Sequence, residues 1–264
     1  MNPPVSLVAP QYTSSPGPLL EAAAVAEAGG LAGLFLLDHL VAPGDAHRPV
    51  LELASTLGLA AAATTTLTIG TLVMRAPLRG AEISAAVAAT AAAIAGGRFV
   101  LGLGAGDSRS ADESRRYGQE SGGLDERLTA VSDVLEATRP GGYPRWVGGT
   151  HRRVLELAAR AEGWNGWDLD AEQFARLAAR VRSQGDVVVT WGGAVLLGRA
   201  EDEVADLVAA RGGSEGTIPG TPSGVAAQLS TRLEAGAEHL VVAVLPNRRD
   251  RWEMFVEEVV PRLA

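Results

Sequence analysis

Asp38 and His39 end the apolar run Leu34-Phe35-Leu36-Leu37, and a carboxylate beside an imidazole can handle a proton. Imidazole titrates near neutrality and exchanges a proton with a ring nitrogen or a substrate alcohol. The bland alternative is a hydrogen-bonded core histidine. A second group is Gly104, Ala105, Gly106, Asp107 and Ser108, which follows another apolar run. Glycines there let a flat ring approach the backbone, and the Asp107-Ser108 pair can meet its edge. The same residues also read simply as a strand end where small side chains relieve crowding. Gly102-Leu103-Gly104-Ala105-Gly106 superficially resembles a dinucleotide fingerprint, but its third glycine comes one residue early and the motif lies in mid-chain, so a Rossmann reading fails. A third group, Gly148-Gly149-Thr150, precedes a helical segment and offers amides and a hydroxyl to a phosphate, with Arg152 and Arg153 adding charge. Plain capping by Thr150 is its alternative. Asp38, His39 and Asp107 are the candidate catalytic groups.

Other chemistries drop out. His39, His47, His151 and His239 are the only histidines, none is spaced as a ligand pair, and there is no cysteine, so no metal site is expected. Gly-x-Ser-x-Gly is absent, and with it the nucleophile elbow. The basic residues are all arginine, and the net charge of -8 argues against general nucleic-acid affinity while leaving anionic small molecules open. Trp146, Trp164, Trp167 and Trp191 are core residues by default, with Trp164 placed at a strand end where it can line a mouth. No signal segment is visible, and the most apolar stretch, residues 51–63, is too short to cross a bilayer. A cytoplasmic protein is expected, acting on a small molecule without nucleic acid or membrane, as a homodimer.

The elements that would hold these groups alternate. Strands are expected at 5–9, 34–37, 67–73, 99–103, 145–147, 163–165, 187–195 and 239–245. Helices are expected at 18–28, 49–63, 82–94, 124–138, 152–161, 171–183, 201–211, 223–234 and 252–262. Eight strands joined by helical crossovers demand a parallel sheet, and roughly 33 residues per unit suits a (β/α)8 TIM barrel, a single α/β domain over residues 1–264. An open doubly wound sheet is the competitor. In a barrel the polar clusters all fall at strand ends, where the active site of such folds lies.

Phe35-Leu36-Leu37-Asp38-His39-Leu40, Ile69-Gly70-Thr71-Leu72-Val73, the run from Gly97 to Gly106, Trp146-Val147-Gly148-Gly149, Ala161-Glu162-Gly163-Trp164-Asn165 and Gly220-Thr221-Pro222 stand in an order that resembles the bacterial luciferase-like monooxygenase family. The resemblance implies a barrel holding a flavin or deazaflavin at its C-terminal mouth. It implies that Thr71, Leu72, Val73 and Met74 form a bulge backing the ring. Gly104, Ala105, Gly106, Asp107 and Ser108 would then lie beside the ring, with Val147, Gly148, Gly149 and Thr150 at the phosphate. The Gly-Asp-Ser form of the fourth loop is similar to members that use coenzyme F420, whereas many that use FMN carry an aromatic residue and asparagine there. The expectation is hydride transfer with coenzyme F420. FMN-dependent monooxygenation and a non-catalytic flavin-binding barrel are the alternatives. A short connection, residues 139–144, replaces the family's longer insertion before strand five.

Overall fold

The computed structural model describes residues 3–42, 44–106, 111–119 and 122–263. Eight parallel strands close on themselves: β1 (Val5–Val8), β2 (Gly33–Leu36), β3 (Thr68–Thr71), β5 (Phe99–Gly104), β6 (Arg145–Gly148), β7 (Gly163–Trp167), β8 (Val188–Leu197) and β10 (His239–Leu245), with β10 pairing both β8 and β1. Two short strands sit beside this ring. β4 (Met74–Arg75) continues the line of β3 and pairs β5, and β9 (Ile218–Gly220) pairs the end of β8. The eight expected strands are therefore the eight of the barrel, and the doubly wound alternative falls on the β1–β10 and β8–β10 pairings.

Helices α1 (Gly17–Ala28), α2 (Leu53–Ala63), α3 (Ala76–Ala95), α5 (Leu124–Thr138), α6 (Arg152–Ala158), α7 (Ala171–Arg182), α8 (Glu201–Arg211), α9 (Pro222–Glu234) and α10 (Arg249–Met254) connect successive strands or close the chain. A short helix, α4 (Ala111–Arg116), precedes α5. Side chains alternate along each strand, so one set faces the helices and the other fills the barrel. Leu7, Leu34, Leu36, Ile69, Leu101, Val147, Trp164, Trp191 and Val242 belong to the outer core against the helices. A smaller cluster of Val8, Phe35, Leu72, Val100, Trp146 and Val241 plugs the interior. Within it Phe35 and Trp146 stack at 5.2 Å, and His239 meets both edge-on. His239 Nε2 pairs with the Ser6 hydroxyl at 2.7 Å, and burial lowers its pKa to about 4, so the plug holds a neutral imidazole.

Several helix ends depart from the expected positions for identifiable reasons. α2 starts at Leu53 because Gln11 claims the residues before it: its carbonyl accepts from the Leu51 amide at 2.9 Å and its side-chain amide donates to the Leu51 carbonyl at 3.2 Å. Glu52 then caps the helix, accepting from the Ser55 amide at 3.0 Å. Arg98 reaches the other end, donating to the carbonyls of Thr64 and Leu67. α3 begins at Ala76, six residues before the expected 82, but breaks at Gly80 (φ 70°). Its 20 residues make it the one described helix long and apolar enough, by length and composition, to cross a membrane, whereas the apolar helix Leu53–Ala63 is shorter. In the barrel α3 packs between α2 and α5. The expected closing helix 252–262 is α10 followed by a wider turn, Phe255–Val259, and a tight one, Val260–Arg262, where Pro261 supplies no amide.

Candidate functional site

The chain leaves β3 through a cis peptide between Leu72 and Val73 before it resumes as β4. The four residues expected to form a bulge are sorted by this path. Thr71 is fully buried and donates to the Gly102 carbonyl at 2.7 Å, Leu72 joins the interior plug, and Met74 packs into the helix-facing core. Only Val73 stays partly exposed. Its methyls cover the ends of the next two strands: a Cβ at Gly104 would stand 2.3 Å from Val73 Cγ2, and one at Gly148 2.8 Å from Cγ1. Three residues from separate sequence motifs thus make one surface, and any side chain at 104 or 148 would collide with it.

The surface continues around the barrel with small residues. Gly192 on β8 faces Asn165 and Trp167, and a Cβ there would meet the Trp167 ring at 2.6 Å. Two residues on, Ala194 lies in register with Ala243 of β10, both partly exposed. Trp167 is the exposed tryptophan at 38 %, whereas Trp146, Trp164, Trp191 and Trp252 are buried. Reading Trp167 as core by default is therefore a miss, and so is placing Trp164 at the mouth. Trp164 stacks on Phe174 in the outer core and donates to the Gly149 carbonyl at 2.9 Å. Strand alternation carries the missed signal: Asn165 points inward, so Trp167, two residues on, must too. The partly exposed Val73, Ala194 and Ala243 form an apolar floor at these strand ends, with Trp167 the exposed aromatic beside Gly192.

Polar groups gather on the other side, at the ends of β2 and β4. The Asp38 side chain is fully enclosed, with Oδ2 accepting from the Arg75 amide at 2.8 Å and from the Arg79 guanidinium. Arg79 also reaches Glu52 at 2.7 Å. Asp38 is thereby an anchor that joins three elements, and its carboxylate does not open on the floor. His39 is about one-third exposed (35 %). Its Nδ1 lies 3.2 Å from Glu113 Oε2 of α4, while Glu113 Oε1 accepts from the amides of Leu40 and Val41 and from Arg75 at 3.0 Å. Burial would raise the Glu113 carboxyl, but these donors together with the Arg75 charge outweigh it and hold the group below its ordinary pKa. Nothing in the sequence patterning singled out Glu113, which lies in a short polar helix without apolar period.

The expected phosphate loop is arranged differently from the expectation. Gly149 adopts φ +132° and its amide bonds the Asn165 carbonyl at 3.3 Å, so it is not a donor for an anion. His151, and not Thr150, caps α6 through Nδ1. Arg152 and Arg153 are engaged with Glu156 and Asp125 at the surface. Thr150, which is exposed, offers its amide and hydroxyl beside this turn, and Val147 offers only backbone because its side chain lies in the outer core. Ala105 and Gly106 follow Gly104 at the floor's rim, with Arg127 of α5 holding the Gly106 carbonyl at 2.8 Å. Asp107 and Ser108 lie outside the described residues. Among the described residues no cluster of His, Asp and Glu is arranged to hold a metal ion.

Residues 3–141 match the family model described as luciferase-like monooxygenase. No curated protein sequence matches the chain. Among solved structures, the chain is similar to an F420-dependent secondary alcohol dehydrogenase in complex with an F420–acetone adduct, at TM-score 0.82 and 15 % identity over 100 % of both chains. It is also similar to the EDTA monooxygenase of Chelativorans sp. BNC1, at TM-score 0.77 and 14 % identity over 100 % of this chain and 94 % of the other. The oxygenating constituent of 3,6-diketocamphane monooxygenase from Pseudomonas putida, in complex with FMN, aligns at TM-score 0.76 and 14 % identity over 100 % and 99 %.

Proposed function

Because the chain belongs to the luciferase-like monooxygenase family, we propose that it is an oxidoreductase that moves a hydride between coenzyme F420 and a small organic substrate. The observation that supports this reading is the packing of Val73 on Gly104 and Gly148, which leaves one partly exposed apolar side chain at these strand ends for a flat ring to lie against. Trp167 walls the ring on the far side, and Thr150 supplies the donors nearest a phosphate. The bound coenzyme supplies the hydride chemistry. The protein's own contribution is orientation and a proton at His39, which stands at the floor's polar edge. Asp38 fixes that edge in place. Asp107, by the sequence argument, orients the substrate.

The F420 reading rests on Gly106-Asp107-Ser108 and on the likeness to the alcohol dehydrogenase fold. The likeness to an FMN-bound oxygenating subunit favours a second reading, reduced FMN with O2, on the same floor. Titrating the apoprotein with each cofactor separates them. Tighter binding of F420, without O2 consumption in the presence of reduced FMN, is the expected result, and the converse replaces the first reading by the second.

A homodimer in the cytoplasm completes the proposal. Ile83 and Ile94 of α3, 59 % and 45 % exposed, lie about three helical turns apart on one alanine-rich face. A second copy covering that face makes Ile83→Asp sediment as a monomer while the wild type sediments as a dimer.

A further inference from the structure

His39 presents two nitrogens with different surroundings. Nδ1 faces Glu113 Oε2 at 3.2 Å, and among the described residues no protein group engages Nε2. Glu113 is itself nearly enclosed, at 7 % side-chain exposure, and each of its oxygens is committed: one to His39, the other to two backbone amides and Arg75. A carboxylate held by this many donors is ionised and can only accept. The proton between the two groups therefore belongs to Nδ1.

The helix carrying Glu113 is strapped to the same loop from both sides. Arg116 donates to the Ala46 carbonyl at 3.2 Å, and the Tyr117 hydroxyl donates to the Leu40 carbonyl at 3.2 Å. Glu113 thus does more than neutralise Arg75: it is fixed against the residue after His39 and cannot follow a rotated ring. We propose that Glu113 is a positioning residue that locks His39 as the Nδ1–H tautomer and leaves the Nε2 lone pair as the proton acceptor of the site. This rests on the reading of His39 as the proton-exchanging group, but its test is made on the apoprotein and needs neither cofactor nor turnover.

Glu113→Gln is the discriminating variant, because glutamine keeps the shape and can still accept from Leu40, Val41 and Arg75 while its amide donates toward His39. Nitrogen-15 NMR of the imidazoles should show the proton on Nδ1 of His39 in the wild type and on Nε2 in the variant. Carbethoxylation of His39 by diethyl pyrocarbonate, followed by mass spectrometry, should slow roughly tenfold in the variant as the Nε2 lone pair is lost. A wild-type proton on Nε2, or the same tautomer in both proteins, overturns the proposal. Should Glu113→Gln fail to fold, the wild-type tautomer alone decides. Failure of the cofactor titration would strike the functional reading and leave these spectra unchanged.

Discussion

A methyl group added at Gly104 would stand 2.3 Å from Val73 Cγ2, a separation that packing cannot absorb without moving the valine. Gly104→Ala should therefore cost about 1–3 kcal/mol of stability by overpacking and weaken cofactor binding as Val73 is displaced. Val73→Ala in the same chain should restore most of both, because the two changes share one space. Urea unfolding and cofactor titration of the single and double variants check this, and simple additivity would mean that Val73 is not what confines position 104. His39→Ala should lower turnover about tenfold or more while leaving cofactor affinity within a factor of two or so, since the imidazole stands at the floor's edge and not in it. A large loss of melting temperature with turnover intact would return His39 to the role of a core residue. The glycines were legible because their spacing after apolar runs is local. Trp167 and Glu113 were not, since one depends on which face a strand shows and the other on a contact spanning 74 residues.

Among the elements, β2, β4 and α3 are held by a single carboxylate. Asp38 bonds the amide that starts α3 and the guanidinium one turn further on, and the break at Gly80 turns the rest of the helix away after Arg79. Asp38→Ala should cost about 3 kcal/mol, because it leaves the buried Arg75 amide and one nitrogen of the largely buried Arg79 without their acceptor, and Asp38→Asn should cost less. Urea midpoints test this. Unchanged midpoints in both variants together with lost turnover would make Asp38 a catalytic group and not an anchor. The bounds of α5 and α8 were legible to the residue, as the apolar spacing of Leu128, Val131, Val134 and Leu135 in α5 and the Gly212 stop of α8 are local signals. β9 and α4 were missed for the opposite reason: three residues containing a proline, and six residues of which five are polar, carry no period that sequence can display. α2 began late because a distant glutamine competes for its backbone, which no local pattern encodes.

At the scale of the molecule, the barrel's interior plug gives folding a pH dependence of known sign. The His239 pKa falls from 6.5 to about 4 through burial, so below pH 6.5 the unfolded chain takes up a proton that the folded imidazole refuses. Stability from this group is full above that value and declines as pH drops toward 4, with about 2 kcal/mol lost between pH 7 and 5. His239→Gln, which keeps a partner for Ser6, should remove that part of the slope in urea titrations at the two pH values. An identical slope would show that the histidine titrates normally in the folded state. The same stack of Phe35, Trp146 and His239 has a kinetic meaning as well. It fills the barrel below the floor, so Val73 is not reached through the barrel interior. On the proposed reading, a ring lying against Val73 is covered by the substrate that enters after it, and the turnover cycle becomes last in, first out: the product must leave before the ring beneath it can be exchanged.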